Sequence, residues 1–185
     1  MPKQEKRKIP TQLDDFVSPT VNTYSLETTI AEKLDAILDL MEFSSRMKDY
    51  YDIYYLANKF DFDGGTLTKA LKKTFENRGH AFTIEQFEQV MAFAENDAMQ
   101  KKWKAFTRKI DTKTDDYGTV LKTIKAFLTE PFTAEIDNRG FSGRWSANQN
   151  EWIIGGSYFL QLFLTAFFLP IILFRPFSHL PSPNL

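Results

Sequence analysis

The chain has 185 residues, of which 43% are hydrophobic and 25% charged, a composition that excludes general disorder and leaves room for one ordinary core. Its 23 basic and 24 acidic residues cancel to a formal charge of −1, which excludes a chain-wide cationic field, so any nucleic-acid partner has to be held locally. With no cysteine, disulfide frameworks and thiolate metal centres are excluded as well, and only carboxylates and two histidines, His80 and His179, remain as possible ligands.

Met1 to Pro10 is basic through Lys3, Lys6, Arg7 and Lys8, but no apolar signal core follows, so nothing there directs secretion and the expected location is the cytoplasm. Residues 1–24, punctuated by Pro2, Pro10 and Pro19, read as an extended lead-in ending in a short strand, Val21 to Tyr24. Ser25 then caps a helix on which Leu26, Ile30, Leu34, Ile37, Leu38 and Met41 recur at three-to-four spacing. A second helix follows Ser44 and Ser45, carries Met47, Tyr50, Ile53, Tyr54, Leu56, Ala57 and Phe60, and stops at a turn from Asp61 to Gly65. The two form a helical hairpin.

Thr66 is expected to cap a third helix, with Leu67, Leu71 and Phe75 inward and an end near Gly79. Thr83 and Gln86 fit a capping box that opens a fourth. A break at Asn96 and Asp97 precedes Met99, Trp103, Phe106 and Ile110. Asp115 and Asp116 open a last helix, which Pro131 is expected to end because proline lacks the N–H that a helix interior needs. The expected fold class is therefore mainly α, with a helical domain over 25–151 and a distinct hydrophobic tail over 152–185.

Candidate chemistry lies on the first two helices. Stepping about 100° per residue places Lys33 inside the apolar arc of the first helix, away from an acidic back face with Glu32 and Asp35. On the second helix the same projection puts Arg46 and Asp49 within the apolar face and Asp52 at its edge, with Lys48 one turn before Asp52. Two readings stay open: Lys33 snorkels while the others make same-helix ion pairs, or the charges line one polar cleft.

The wording of these residues carries more than their pattern. Tyr24-Ser-Leu-Glu-Thr-Thr-Ile-Ala-Glu-Lys-Leu-Asp-Ala36 and Ser45-Arg-Met-Lys-Asp-Tyr-Tyr-Asp-Ile-Tyr-Tyr-Leu56 resemble the third and fourth motifs of the AbiEii/AbiGii toxin family, a lysine-x-x-alanine and an arginine-x-lysine-aspartate-x-x-aspartate. The resemblance runs over roughly residues 10–152. It implies a polymerase-β-like nucleotidyltransferase of an abortive-infection or toxin–antitoxin pair, an α+β enzyme of which this chain resembles the helical carboxyl-terminal half. Such an enzyme moves a nucleotide from an NTP to an acceptor such as tRNA, with Mg2+ and a cognate antitoxin as expected companions. In that scheme Lys33, Arg46 and Lys48 are nucleotide-binding and Asp49 or Asp52 is catalytic, which suits a reaction that depends on positioning and on countering phosphate charge.

The family also places a Gly-Ser turn and paired metal-binding carboxylates ahead of the lysine motif. Here the first glycine is Gly64, and the acids before Glu27 are Glu5, Asp14 and Asp15. Gly155-Gly156-Ser157 does not substitute, because no acid follows Glu151. No metal ligand is assigned, and the chain is expected to be truncated and inactive by itself. A non-catalytic helical module that binds RNA or protein is the alternative.

Residues 152–174 form a run of 23 residues without a charge, long enough to cross about 30 Å of hydrocarbon. A membrane tail anchor, a non-native carboxyl terminus and a buried helix are the three readings; Gly155-Gly156 and Pro170 weaken a helix there. His80 is read as a surface or capping residue. Tyr50, Tyr51, Tyr54 and Tyr55 suit cleft packing or base stacking, and the run from Lys101 to Lys109 suits a solvated face or RNA phosphates.

Overall fold

The computed structural model describes residues 4–8, 20–110 and 114–155. Two short strands come first: β1 (Gln4–Lys8) pairs antiparallel with β2 (Thr20–Tyr24), placing Arg7 opposite Val21. The lead-in therefore holds a strand that its sequence, rich in charge and poor in alternation, does not announce.

Helix α1 (Leu26–Leu40) starts where a hydroxyl can close it: Ser25 Oγ accepts from the Thr28 N–H at 3.2 Å. Its apolar stripe buries Ile30, Leu34, Ile37 and Leu38 completely or nearly so, each worth roughly 1.5–3 kcal/mol of burial. Met41, at φ 47°, then turns the chain into a short 3-10 segment, Met41–Phe43, and α2 (Met47–Lys59) follows. The hairpin of helices exists, and α1 packs against α2.

The expected turn from Asp61 to Gly65 is instead a two-residue strand, β3 (Phe62–Asp63), running directly into α3 (Gly64–Arg78). Asp63 rather than Thr66 caps α3, its carboxylate accepting from the Thr66 N–H at 2.7 Å. A carboxylate also offsets the positive end of the helix, which a hydroxyl cannot do. Gly79, at φ 68°, ends α3 as expected. The Thr83–Gln86 capping box opens α4 (Ile84–Met91), and a 3-10 segment, Ala92–Glu95, leads into α5 (Asp97–Ile110).

Helix α6 (Tyr117–Ile136) is capped by Asp116 and runs straight through Pro131, contrary to the expectation that proline would end it. Proline costs the helix one N–H, the donor that would have reached the Phe127 carbonyl one turn back. That carbonyl accepts instead from Trp152 Nε1 at 2.9 Å. A replacement donor thus reaches the position the ring leaves unserved.

Trp152 comes from a small sheet in the order β3, β4 (Gly143–Ser146), β5 (Glu151–Ile154). Phe62 pairs with Trp145 across β3 and β4, and Trp145, completely buried, donates its indole N–H to the Ala57 carbonyl at 2.7 Å. Trp152, Trp145, Phe127 and Phe141 form a ring cluster with centroids 4.9 to 5.9 Å apart. The core behind it joins α1, α3 and α6, so the chain is mainly α.

The chain divides into two compact units after Ile153, and of the second only Ile154 and Gly155 are described. Of the uncharged run 152–174, the first three residues belong to β5 and 156–174 lie outside the described residues, as do Gly156 and Ser157. Among the described residues no helix is long and apolar enough to cross a membrane.

Candidate functional site

Lys33 sits on the third turn of α1 with a side chain that is 19% exposed, too buried to be left without an anion. Opposite stands the first turn and a half of α2. Its start is fixed by Ser44, which is completely buried and accepts the Arg46 N–H on its hydroxyl at 3.1 Å. Lys102, from α5, clamps the same connection by donating to the Glu42 carbonyl at 3.0 Å and the Ser44 carbonyl at 2.9 Å. These bonds set the angle at which α2 presents its charged residues.

The result is a five-membered cluster. Lys33 Nζ lies 3.0 Å from Asp49 Oδ1 and 2.6 Å from Asp52 Oδ2. Arg46 Nε closes on Asp49 Oδ2 at 2.6 Å, an ion pair outside hydrogen-bond geometry, and Lys48 Nζ reaches Asp52 Oδ2 at 2.6 Å. The same-helix pairs of the first reading form, but Lys33 does not snorkel as that reading had it: it bridges the two carboxylates from the neighbouring helix.

Exposure separates the members. Asp49 is 6% exposed at its side chain, whereas Arg46 and Lys48 are 56% and 72% exposed. The carboxylates and Lys33 form the floor, and the two outer cations stand at its mouth. Burial pulls the Lys33 pKa down, but its bonds to Asp52 and Asp49 and their charges outweigh this and leave it raised, so the ammonium stays charged throughout the physiological range. Beside Asp49, burial pushes the Tyr50 phenol up to about 12, which makes it a neutral packing group rather than a base.

Three cations against two carboxylates leave the cluster one positive charge in excess. That balance fits a polyphosphate arriving at the open side. It does not fit a divalent cation, because an ammonium already occupies the position between the two carboxylates. Among the described residues no group of three or more acids and histidines could hold a metal ion.

The other sequence candidates fall elsewhere. Tyr50 is core, in edge contact with Tyr117 at 5.5 Å, and Tyr54 bonds Asp115. Tyr51 and Tyr55 stack on each other near α5. Asp35, placed by projection on the acidic back face of α1, is completely buried: Oδ2 accepts from Arg78 Nη1 at 2.9 Å and Oδ1 meets His80 Nδ1 at 2.8 Å. Helix α3 crosses that face of α1, which a projection of one helix cannot reveal. A groove of about 520 Å³ between α3 and the end of α6, with Lys69, Lys72, Glu135 and Arg139 on its walls, contains none of the five cluster residues.

A family model described as nucleotidyl transferase AbiEii toxin, type IV TA system, matches residues 1–130, a stretch that holds the whole cluster. No curated protein and no solved structure matches the chain.

Proposed function

The chain belongs to the AbiEii nucleotidyl transferase toxin family, and on that premise we propose that the Lys33–Asp49–Asp52 cluster is the nucleotide-side half of a transferase site. The observation that carries the reading is Lys33 Nζ held between Asp49 and Asp52, with Arg46 and Lys48 exposed at the rim. Lys33 would hold the triphosphate of an NTP. Arg46 and Lys48 would counter the remaining phosphate charge, and Asp49 and Asp52 would keep the three cations aimed and offset their mutual repulsion.

Magnesium, which nucleotidyl transfer in this family implies, would supply further charge neutralisation at the reacting phosphate, but this cluster does not supply its ligands. Both carboxylates are already engaged by cations. The acceptor in this reading is an RNA end such as that of tRNA, and the type IV toxin–antitoxin description of the matched family supports a cognate antitoxin as partner. The chain alone is proposed not to turn over.

Titration with ATP, GTP, CTP and UTP by calorimetry tests the binding half. Lys33→Ala should weaken the preferred nucleotide by at least about tenfold, and unchanged affinity would remove Lys33 from the role. Incubation with labelled NTPs, magnesium and tRNA should give no transfer. Robust transfer that disappears in Lys33→Ala would overturn the claim of incompleteness while leaving the cluster assigned.

A further inference from the structure

The groove of about 520 Å³ between the first turns of α3 and the end of α6 is bordered by the segment from Asn138 to Ser142. Two glycines at the start of α3 let that segment lie close. A Cβ on Gly64 would meet the Phe141 ring at 2.5 Å, and one on Gly65 would meet the Phe141 carbonyl oxygen at 3.1 Å. The volume falls within the range of roughly 300–1,000 Å³ that small-molecule sites occupy.

Four charged residues stand on the walls, and two of them already have partners. Arg139 meets Glu130 at 3.3 Å and Asp137 at 3.4 Å, and Lys72 donates to Asn138 Oδ1 at 2.7 Å. The other two, Lys69 on α3 and Glu135 on α6, make no ion pair or side-chain hydrogen bond among the described residues. Lys69 is exposed and lends its charge to Asp63 without pairing with it. Glu135 is half-buried, and burial raises its pKa more than the charge of Lys72 lowers it, with Glu76 adding to the rise. A carboxylate held in this way costs the fold stability at neutral pH, and a glutamine would fill the same space without that cost.

We propose that the groove binds a small zwitterion with a free amino group and a free carboxylate, an α-amino acid or a dipeptide, its ammonium meeting Glu135, its carboxylate meeting Lys69 and its side chain lying toward Phe141. One cation and one anion without partners, on facing helices, call for a ligand that carries one charge of each sign. A phosphate or dicarboxylate would set like charge against Glu135, and a diamine would do the same to Lys69. None of the five cluster residues lines the groove, so the inference does not rest on the transferase reading.

Calorimetric titration of the full chain at neutral pH tests it, with L-leucine, L-phenylalanine and leucyl-leucine as zwitterions and N-acetyl-leucine, leucinamide and inorganic phosphate as one-ended probes. At least one zwitterion should bind more tightly than about 1 mM, and each one-ended probe at least about tenfold more weakly than that zwitterion. The contrast of leucine with leucyl-leucine fixes the length of the ligand. Glu135→Gln and Lys69→Met should each weaken binding about tenfold, whereas Lys122→Ala, on α6 outside the groove, should leave it unchanged. Because Glu135→Gln is expected to melt no lower than the native chain, its loss of binding cannot come from unfolding. Absence of binding by all three zwitterions, equal binding of N-acetyl-leucine or leucinamide, or full affinity in both groove variants would overturn the proposal.

Discussion

Replacing Lys33 by methionine keeps the length of the side chain and removes its charge, which isolates the ammonium from its packing. In the native chain Lys33 donates the hydrogen bond that Asp49 Oδ1 accepts at 3.0 Å, deep enough that Asp49 is 6% exposed. A hydrogen bond to a buried charged group is worth roughly 1.5–3 kcal/mol. The lower half of that range applies, because Arg46 and Lys48 remain on the two carboxylates and the cost of desolvating Lys33 itself disappears. The expected loss is about 2 kcal/mol, or roughly 4–8 °C in Tm for a domain of this size. The pH dependence follows from the sign of the shift. Lys33 has a raised folded pKa, so its contribution is complete below the unfolded value of about 10.4 and fades as pH rises through the folded value. The gap between native and Lys33→Met melting curves should therefore be flat from pH 7 to 9 and narrow above about pH 10.4. A double-mutant cycle with Asp49→Asn should return a coupling of about 1 kcal/mol or more. Additive variants, or a gap that closes near neutrality, would refute the bridging geometry.

Three further outcomes follow from other contacts. Asp35→Asn, at the buried centre of the Arg78–His80 pair, should cost about 1–2 kcal/mol in urea denaturation, because the charge-assisted bonds weaken while the partly exposed Arg78 and His80 keep water as a partner. Trp152→Phe should cost about 1–2 kcal/mol by leaving the Phe127 carbonyl unserved, and adding Pro131→Ala, which restores the helix N–H, should recover part of that loss in thermal melts. Glu135 has a raised pKa, chiefly because burial disfavours its charge, with Lys72 opposing and Glu76 adding to the shift. Its penalty is absent below the ordinary glutamate value of 4.5 and grows above it, so Glu135→Gln should melt with the native chain at pH 4 and above it at pH 7.

Three of the helices were legible because their starts are announced locally. Ser25, the Thr83–Gln86 box and Asp116 are local signals read by local geometry, and all three cap as expected. The floor of the cluster was legible for a related reason: Lys33 and Asp49 interrupt apolar arcs, and charges placed there must find each other. What stayed hidden depends on residues far apart in the chain. Strands β3 and β4 are two and four residues long and are recognisable only through the pairing of Phe62 with Trp145. Asp35 is exposed on any projection of α1 and buried only once α3 has crossed it. The clamp of Lys102 on Glu42 and Ser44 joins residues nearly sixty positions apart with no pattern in either segment to announce it.

The handing of the Trp152 indole to Phe127 bears on where the protein can be cut. The family model stops at Glu130, one position before Pro131, so a designer taking that border as a natural seam would keep Phe127 and Ala57 and discard Trp152 and Trp145. Two carbonyls inside the retained piece would then face the void left by their donors, and the aromatic cluster would lie open on one side. The statistical edge of the family is thus a poor place for scissors: the residues just outside it act as stitching for the residues just inside.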